Sequence, residues 1–130
     1  MKVLIVDDEA DLREMLAEQL RIEGVETLEA ANGLECLWEV KHQQLDAIVL
    51  DLTMPRLGGL EALKRIHKFA PGLRVFVLTA SAEPADHQAA RALGAAEVYT
   101  KPYDLAAFAR AIAARVTPPV VAAAAPRTAS

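Results

Sequence analysis

Residues suited to phosphate or metal chemistry stand where apolar runs end. Asp7 and Asp8 follow Val3-Leu-Ile-Val6, Asp51 follows Ala47-Ile-Val-Leu50, Thr79 follows Val75-Phe-Val-Leu78, and Lys101 follows Val98-Tyr-Thr100. Carboxylates brought together cannot remain uncompensated: two of them ~4 Å apart repel by roughly 4 kcal/mol at an effective dielectric of about 20. They protonate or they bind a hard cation. Carboxylate oxygens with one open side suit Mg²⁺, which takes few protein ligands and keeps waters that phosphate oxygens replace. A lysine beside them pairs with Asp51 or with a phosphoryl oxygen, and the Thr79 hydroxyl bonds another. Such a set suits phosphoryl transfer onto Asp51, which needs a nucleophile, a neutralising cation and positioned donors.

These residues meet only if the intervening elements bring them to one edge. The apolar runs at residues 3–6, 47–50 and 75–78 are rich in β-branched residues and continuous, as strands buried on both faces are. Val25-Glu-Thr-Leu-Glu-Ala30 and Val98-Tyr-Thr100 are mixed or short and suit sheet edges. Between them lie helical patterns. Leu12, Met15, Leu16, Gln19 and Leu20 recur at helical spacing over Asp11–Glu23, and Gly24 closes that helix. Leu34, Leu37 and Trp38 follow the Asn32-Gly33 turn; Leu60, Leu63, Ile66 and Phe69 precede Pro71-Gly72. An Ala-rich helix runs from Pro84 to Gly94, and the last carries Leu105, Phe108, Ala109, Ile112 and Val116 before Thr117-Pro-Pro119. Strict alternation predicts an α/β fold: a doubly wound five-stranded parallel sheet of order 2-1-3-4-5, a flavodoxin-like (βα)5 three-layer sandwich. Ligands on such sheets bind at the carboxyl ends of the strands, where the five residues stand.

Length and composition are those of one domain: 130 residues, 53% hydrophobic, 25% charged. The net charge of −4 and scattered Lys and Arg exclude direct nucleic-acid binding through a basic stripe. A lone cysteine, Cys36, fits a reducing compartment and reads as a small apolar helix residue. With no run of ~18–20 apolar residues and no signal-peptide core, the expected location is cytoplasmic. Met1 directly before the first strand reads as a native start. Residues 1–116 form the predicted domain, and the Ala- and Pro-rich 117–130 a linker or tail.

The motifs Val6-Asp7-Asp8-Glu9, Asp51-Leu-Thr-Met-Pro55 with Gly58-Gly59, Thr79-Ala80 and Lys101-Pro102, in this order and spacing, make the chain resemble the receiver domain of bacterial response regulators over about residues 2–116. The resemblance implies that Asp51 accepts a phosphoryl group from a phosphohistidine of a sensor histidine kinase or phosphotransfer protein. It implies Mg²⁺ held by Asp8, Asp51 and the Thr53 backbone carbonyl, with Asp7 helping through water, and phosphoryl oxygens held by Thr79 and Lys101. It further implies a cis Lys101-Pro102 peptide and self-catalysed dephosphorylation, tuned by Thr53 and Ser81. An output domain beyond residue 130, a separate effector, or a phosphorylation-linked homodimer would read the switch at the fourth helix, fifth strand and fifth helix. One position departs from the pattern. Three residues before the lysine, where the family carries Tyr or Phe, stands Val98; Tyr99, one place later, turns to the opposite face unless a bulge restores it.

Two other functions compete. A Mg²⁺-dependent aspartyl phosphatase needs an acid two residues after its nucleophile, where this chain has Thr53. A flavodoxin-like cofactor binder needs a Ser/Thr/Gly-rich phosphate loop where it has Asp7-Asp8-Glu9. His42, His67 and His87 lack metal-ligand spacing and read as surface residues; Trp38 reads as core or partly exposed packing.

Overall fold

A computed structural model describes residues 1–52, 58–101 and 104–116. Five strands, β1 (Lys2–Val6), β2 (Glu26–Ala30), β3 (Ala47–Asp51), β4 (Arg74–Thr79) and β5 (Glu97–Thr100), alternate with α1 (Ala10–Ile22), α2 (Gly33–His42), α3 (Gly59–Phe69), α4 (Pro84–Ala92) and α5 (Leu105–Val116). The strands pair in parallel in the expected order, β2-β1-β3-β4-β5. The β-branched runs occupy the centre, with β3 buried throughout, while the mixed segments β2 and β5 form the edges.

Alternate residues along each strand feed separate cores on the two faces. Val3, Ile5, Val49, Phe76 and Leu78 pack against Leu16 and Leu20 of α1 and Phe108 and Ile112 of α5. On the other face, Leu4, Val6, Ile48, Leu50, Val75 and Val77 pack against Cys36 of α2, Leu63 and Ile66 of α3 and Ala90 of α4. Each fully buried aliphatic side chain contributes about 1.5–3 kcal/mol. This double-sided core holds the central strand ends in register.

Local signals end the helices as expected. Gly24, just past α1, adopts φ 86°, which side chains with a Cβ avoid. At the start of α2 the Asn32 side chain accepts from the Glu35 N–H at 2.9 Å, and Glu35 Oε1 accepts from the Ala31 N–H at 2.8 Å. The apolar stripes are narrower than their sequence patterns. Met15, Leu34, Leu60 and Phe69 are exposed and Leu12 half-buried, because each helix lays only a narrow face on the sheet; on α1 that face is Leu16, Ala17 and Leu20. Trp38 is also exposed and stacks on His42 with ring centroids 4.1 Å apart. Among the described residues, no helix is long and apolar enough to cross a membrane.

Candidate functional site

The strand register assembles the site. Val6 pairs with Leu50, so Asp7 leaves β1 beside Asp51 at the end of β3. Asp51 pairs with Leu78, the neighbour of Thr79, and Thr79 pairs with Thr100, the neighbour of Lys101. Residues separated by up to 94 positions thus share one rim.

Asp7 and Asp51 are each 2% exposed, while Asp8 faces solvent. Carboxylate oxygens of all three lie within 4.8 Å of one another. Lys101 Nζ stands 3.3 Å from Asp51 Oδ2 and 3.8 Å from Asp7 Oδ2, so among the described residues its ammonium serves two of the three acids. The donor set is all hard oxygen and open on the Asp8 side, which fits a small divalent cation. Other bonds fix the acids in place. The Glu9 N–H donates to Asp7 Oδ1 at 2.9 Å, and Asp7 N–H to the Ala30 carbonyl at 3.1 Å. Arg13 Nη1 donates to the Asp7 carbonyl at 2.7 Å while its Nε pairs with Glu29 Oε1 at 2.9 Å, bracing the β1–α1 turn against β2.

Thr79 is 4% exposed, and its Oγ1 accepts from the Ser81 N–H at 3.1 Å. A hydroxyl accepting at its oxygen keeps its own proton to donate. The Thr79 carbonyl accepts from the Lys101 N–H at 2.7 Å, which ties the two strand ends together. Behind Asp51, Leu52 N–H donates to the Leu78 carbonyl at 3.0 Å, and Gly59 N–H to the Leu52 carbonyl at 3.2 Å. α3 starts this close to β3 only because residue 59 is glycine: a Cβ there would lie 2.3 Å from Leu52 Cα.

Asp7, Asp8, Asp51, Thr79 and Lys101 therefore come together as the strand ends require, with Ser81 directly behind Thr79. Thr53 and Pro102, expected as a carbonyl ligand and a cis-peptide residue, lie outside the described residues. Val98 and Tyr99 face opposite ways. Val98 packs into the cluster shared by α2, α3 and α4. Tyr99 packs toward α1 and α5, its ring edge-on to Phe108 at 4.9 Å and its hydroxyl donating to Glu97; burial pushes that phenol's pKa up. Sequence reasoning missed His87. Expected at the surface, it is half-buried, with Nε2 2.8 Å from the Ser81 carbonyl oxygen and 3.3 Å from Thr100 Oγ1. The signal was present: His87 stands three residues before Ala90, the buried residue of α4, and so shares its inward face.

Residues 3–113 match the family described as the response regulator receiver domain. The chain belongs to that family. It is a receiver domain of the two-component type. The receiver is 38% identical over 104 residues to sporulation initiation phosphotransferase F of Bacillus subtilis (strain 168), covering 80% of this chain and 84% of that protein. It is also 38% identical over 103 residues to a transcriptional regulatory protein, the CpxR homolog of Haemophilus influenzae, covering 79% of this chain. The receiver spans only 44% of that regulator. Its fold superposes on a chain of the CheX–CheY–BeF3–Mg complex from Borrelia burgdorferi with a TM-score of 0.84, at 27% identity, covering 91% of this chain and 90% of that one. These similarities give no specific support to the aspartyl phosphatase alternative.

Proposed function

We propose that Asp51 is the phosphoacceptor of this receiver. Lys101 Nζ at 3.3 Å from Asp51 Oδ2, within a cluster completed by Asp7 and Asp8, is the observation that carries the reading. Asp7, Asp8 and Asp51, with the Thr53 carbonyl, would hold Mg²⁺. When bound, that ion neutralises charge on the transferring phosphoryl oxygens.

The steps asked of the chain's own residues are modest. An Asp51 carboxylate oxygen attacks the phosphorus of a phosphohistidine on a sensor kinase or phosphotransfer protein. The P–N bond breaks, its electron pair returns to the imidazole nitrogen, and a P–O bond forms. Lys101 pairs with a phosphoryl oxygen, and the Thr79 hydroxyl, already oriented by the Ser81 N–H, donates to another. Dephosphorylation is attack of water on the same phosphorus, releasing phosphate and restoring the carboxylate. Thr53 and Ser81, two positions after the acceptor and two after the threonine in sequence, tune the rate of that step.

Phosphorylation adds up to about two negative charges and biases two conformations of the α4–β5–α5 surface. An output domain beyond residue 130, a separate effector or a second copy of the chain reads that surface. In this reading residues 1–116 are the receiver, 117–130 a linker or tail, and the protein works in the cytoplasm. Acetyl phosphate with Mg²⁺ labels the wild-type chain, and Asp51→Asn abolishes labelling. Equal labelling of the mutant ends the proposal.

A further inference from the structure

We infer that His87 is a positioning residue for this site, holding the Thr79 hydroxyl through the Ser81 peptide and tying it to α4 and β5; the inference rests on Asp51 being the acceptor. A carbonyl oxygen only accepts, so the 2.8 Å approach of His87 Nε2 to the Ser81 carbonyl puts a hydrogen on Nε2. The same N–H faces Thr100 Oγ1 at 3.3 Å, a weaker second leg. Ser81 in turn donates its backbone N–H to Thr79 Oγ1 at 3.1 Å. Its Oγ donates to Asp86 in the first turn of α4 and accepts from the Glu83 N–H at 3.1 Å.

Ser81 is thus clamped between the threonine that faces the phosphoryl group and the helix expected to report it. Thr100 pairs in register with Thr79 and precedes Lys101, so one imidazole touches the end of β5 at Thr100 and the segment just past β4 at Ser81. Val98 offers this side of β5 only aliphatic packing. His87 supplies the directional link: movement of Thr79 toward a phosphoryl oxygen pulls the Ser81 peptide, and the pull passes through His87 into α4.

The test uses the full chain with acetyl phosphate and Mg²⁺, following Asp51 labelling by intact mass, together with the Ser81 amide resonance. His87→Ala is expected to slow labelling three- to tenfold and to shift the Ser81 amide. His87→Gln, whose amide N–H can still donate to the Ser81 carbonyl, should restore the rate to within twofold. Mg²⁺ affinity, set by the three aspartates, stays unchanged in both. His87→Phe keeps ring bulk without a donor and should behave like His87→Ala; it decides the matter if the alanine variant does not fold. Wild-type labelling rates in His87→Phe, or equal losses in the Gln and Phe variants, overturn the inference alone. A wild-type chain that fails to label Asp51 sinks the acceptor reading, and this inference with it.

Discussion

Lys101 and Asp51, fifty residues apart in the chain, meet with Nζ 3.3 Å from Oδ2 at the rim of the sheet. The same ammonium lies 3.8 Å from Asp7, so a single cation holds two nearly buried carboxylates in place. Breaking a buried pair by removing one partner costs more than the pair itself contributes, because the charge left behind stays desolvated.

Lys101→Met should therefore destabilise the protein by about 3–5 kcal/mol in metal-free buffer. Millimolar Mg²⁺, binding only the folded acidic cluster, should recover much of the loss. Urea denaturation with and without Mg²⁺ measures both. A variant at least as stable as wild type in the presence of a chelator contradicts the pairing.

Gly59→Ala places a Cβ 2.3 Å from Leu52 Cα, where backbone rather than a flexible side chain must give way. A loss of about 2 kcal/mol or more is expected, since overpacking of this kind displaces the main chain. Because Leu52 follows Asp51, labelling by acetyl phosphate should slow as well. Gly72→Ala, with no atom within 4 Å of its Cβ, is the control and should change stability little.

Cys36 lies buried on the sheet-facing side of α2, and burial, aided by nearby Glu39, pushes its thiol from 9.0 up to about 12. The folded state holds this proton more tightly than the unfolded chain. The resulting stabilisation is complete below pH 9.0 and is lost as pH rises toward about 12, at up to about 1.4 kcal/mol per pH unit. Cys36→Ala should remove that portion of the alkaline slope in chemical denaturation. At pH 8 the native thiol should react with a disulfide reagent only as fast as the protein opens; rapid stoichiometric reaction of the folded protein contradicts this.

Tyr99 packs edge-on against Phe108, away from α4. Tyr99→Phe should leave labelling of Asp51 within twofold of wild type and cost about 0.5–1.5 kcal/mol for the lost hydroxyl bond to Glu97. Tyr99→Ala should cost about 1.5–3 kcal/mol through lost packing, again with little effect on labelling. A tenfold change in labelling for the phenylalanine variant would assign Tyr99 a part in the site that its orientation denies.

Much of this protein is determined locally. β-Branched runs ending in acids, the alternation with helical spacing, and stops such as Gly24 depend on backbone periods and steric limits that act within a few residues. Alternation with right-handed crossovers, together with three β-branched runs that claim the sheet centre and two mixed runs that suit its edges, then points to the sheet order and so to the gathering of Asp7, Asp8, Asp51, Thr79 and Lys101 at one rim. The opposite facing of Val98 and Tyr99 follows too, from the two-residue period of a strand.

Tertiary structure decided what depends on several elements at once. Whether Met15 or Phe69 is covered depends on how wide a face each helix lays on the sheet, which the apolar pattern alone does not specify. The sharing of Lys101 between Asp51 and Asp7 is set by the relative heights of β1, β3 and β5. His87 is the clearest case. As a lone histidine on an Ala-rich helix it reads as surface, and only the packing of α4 over β5 brings its imidazole to the Ser81 carbonyl and Thr100. Hydrogen bonds act over about 3 Å and depend on angle, so their partners become known only when the elements carrying them are in place.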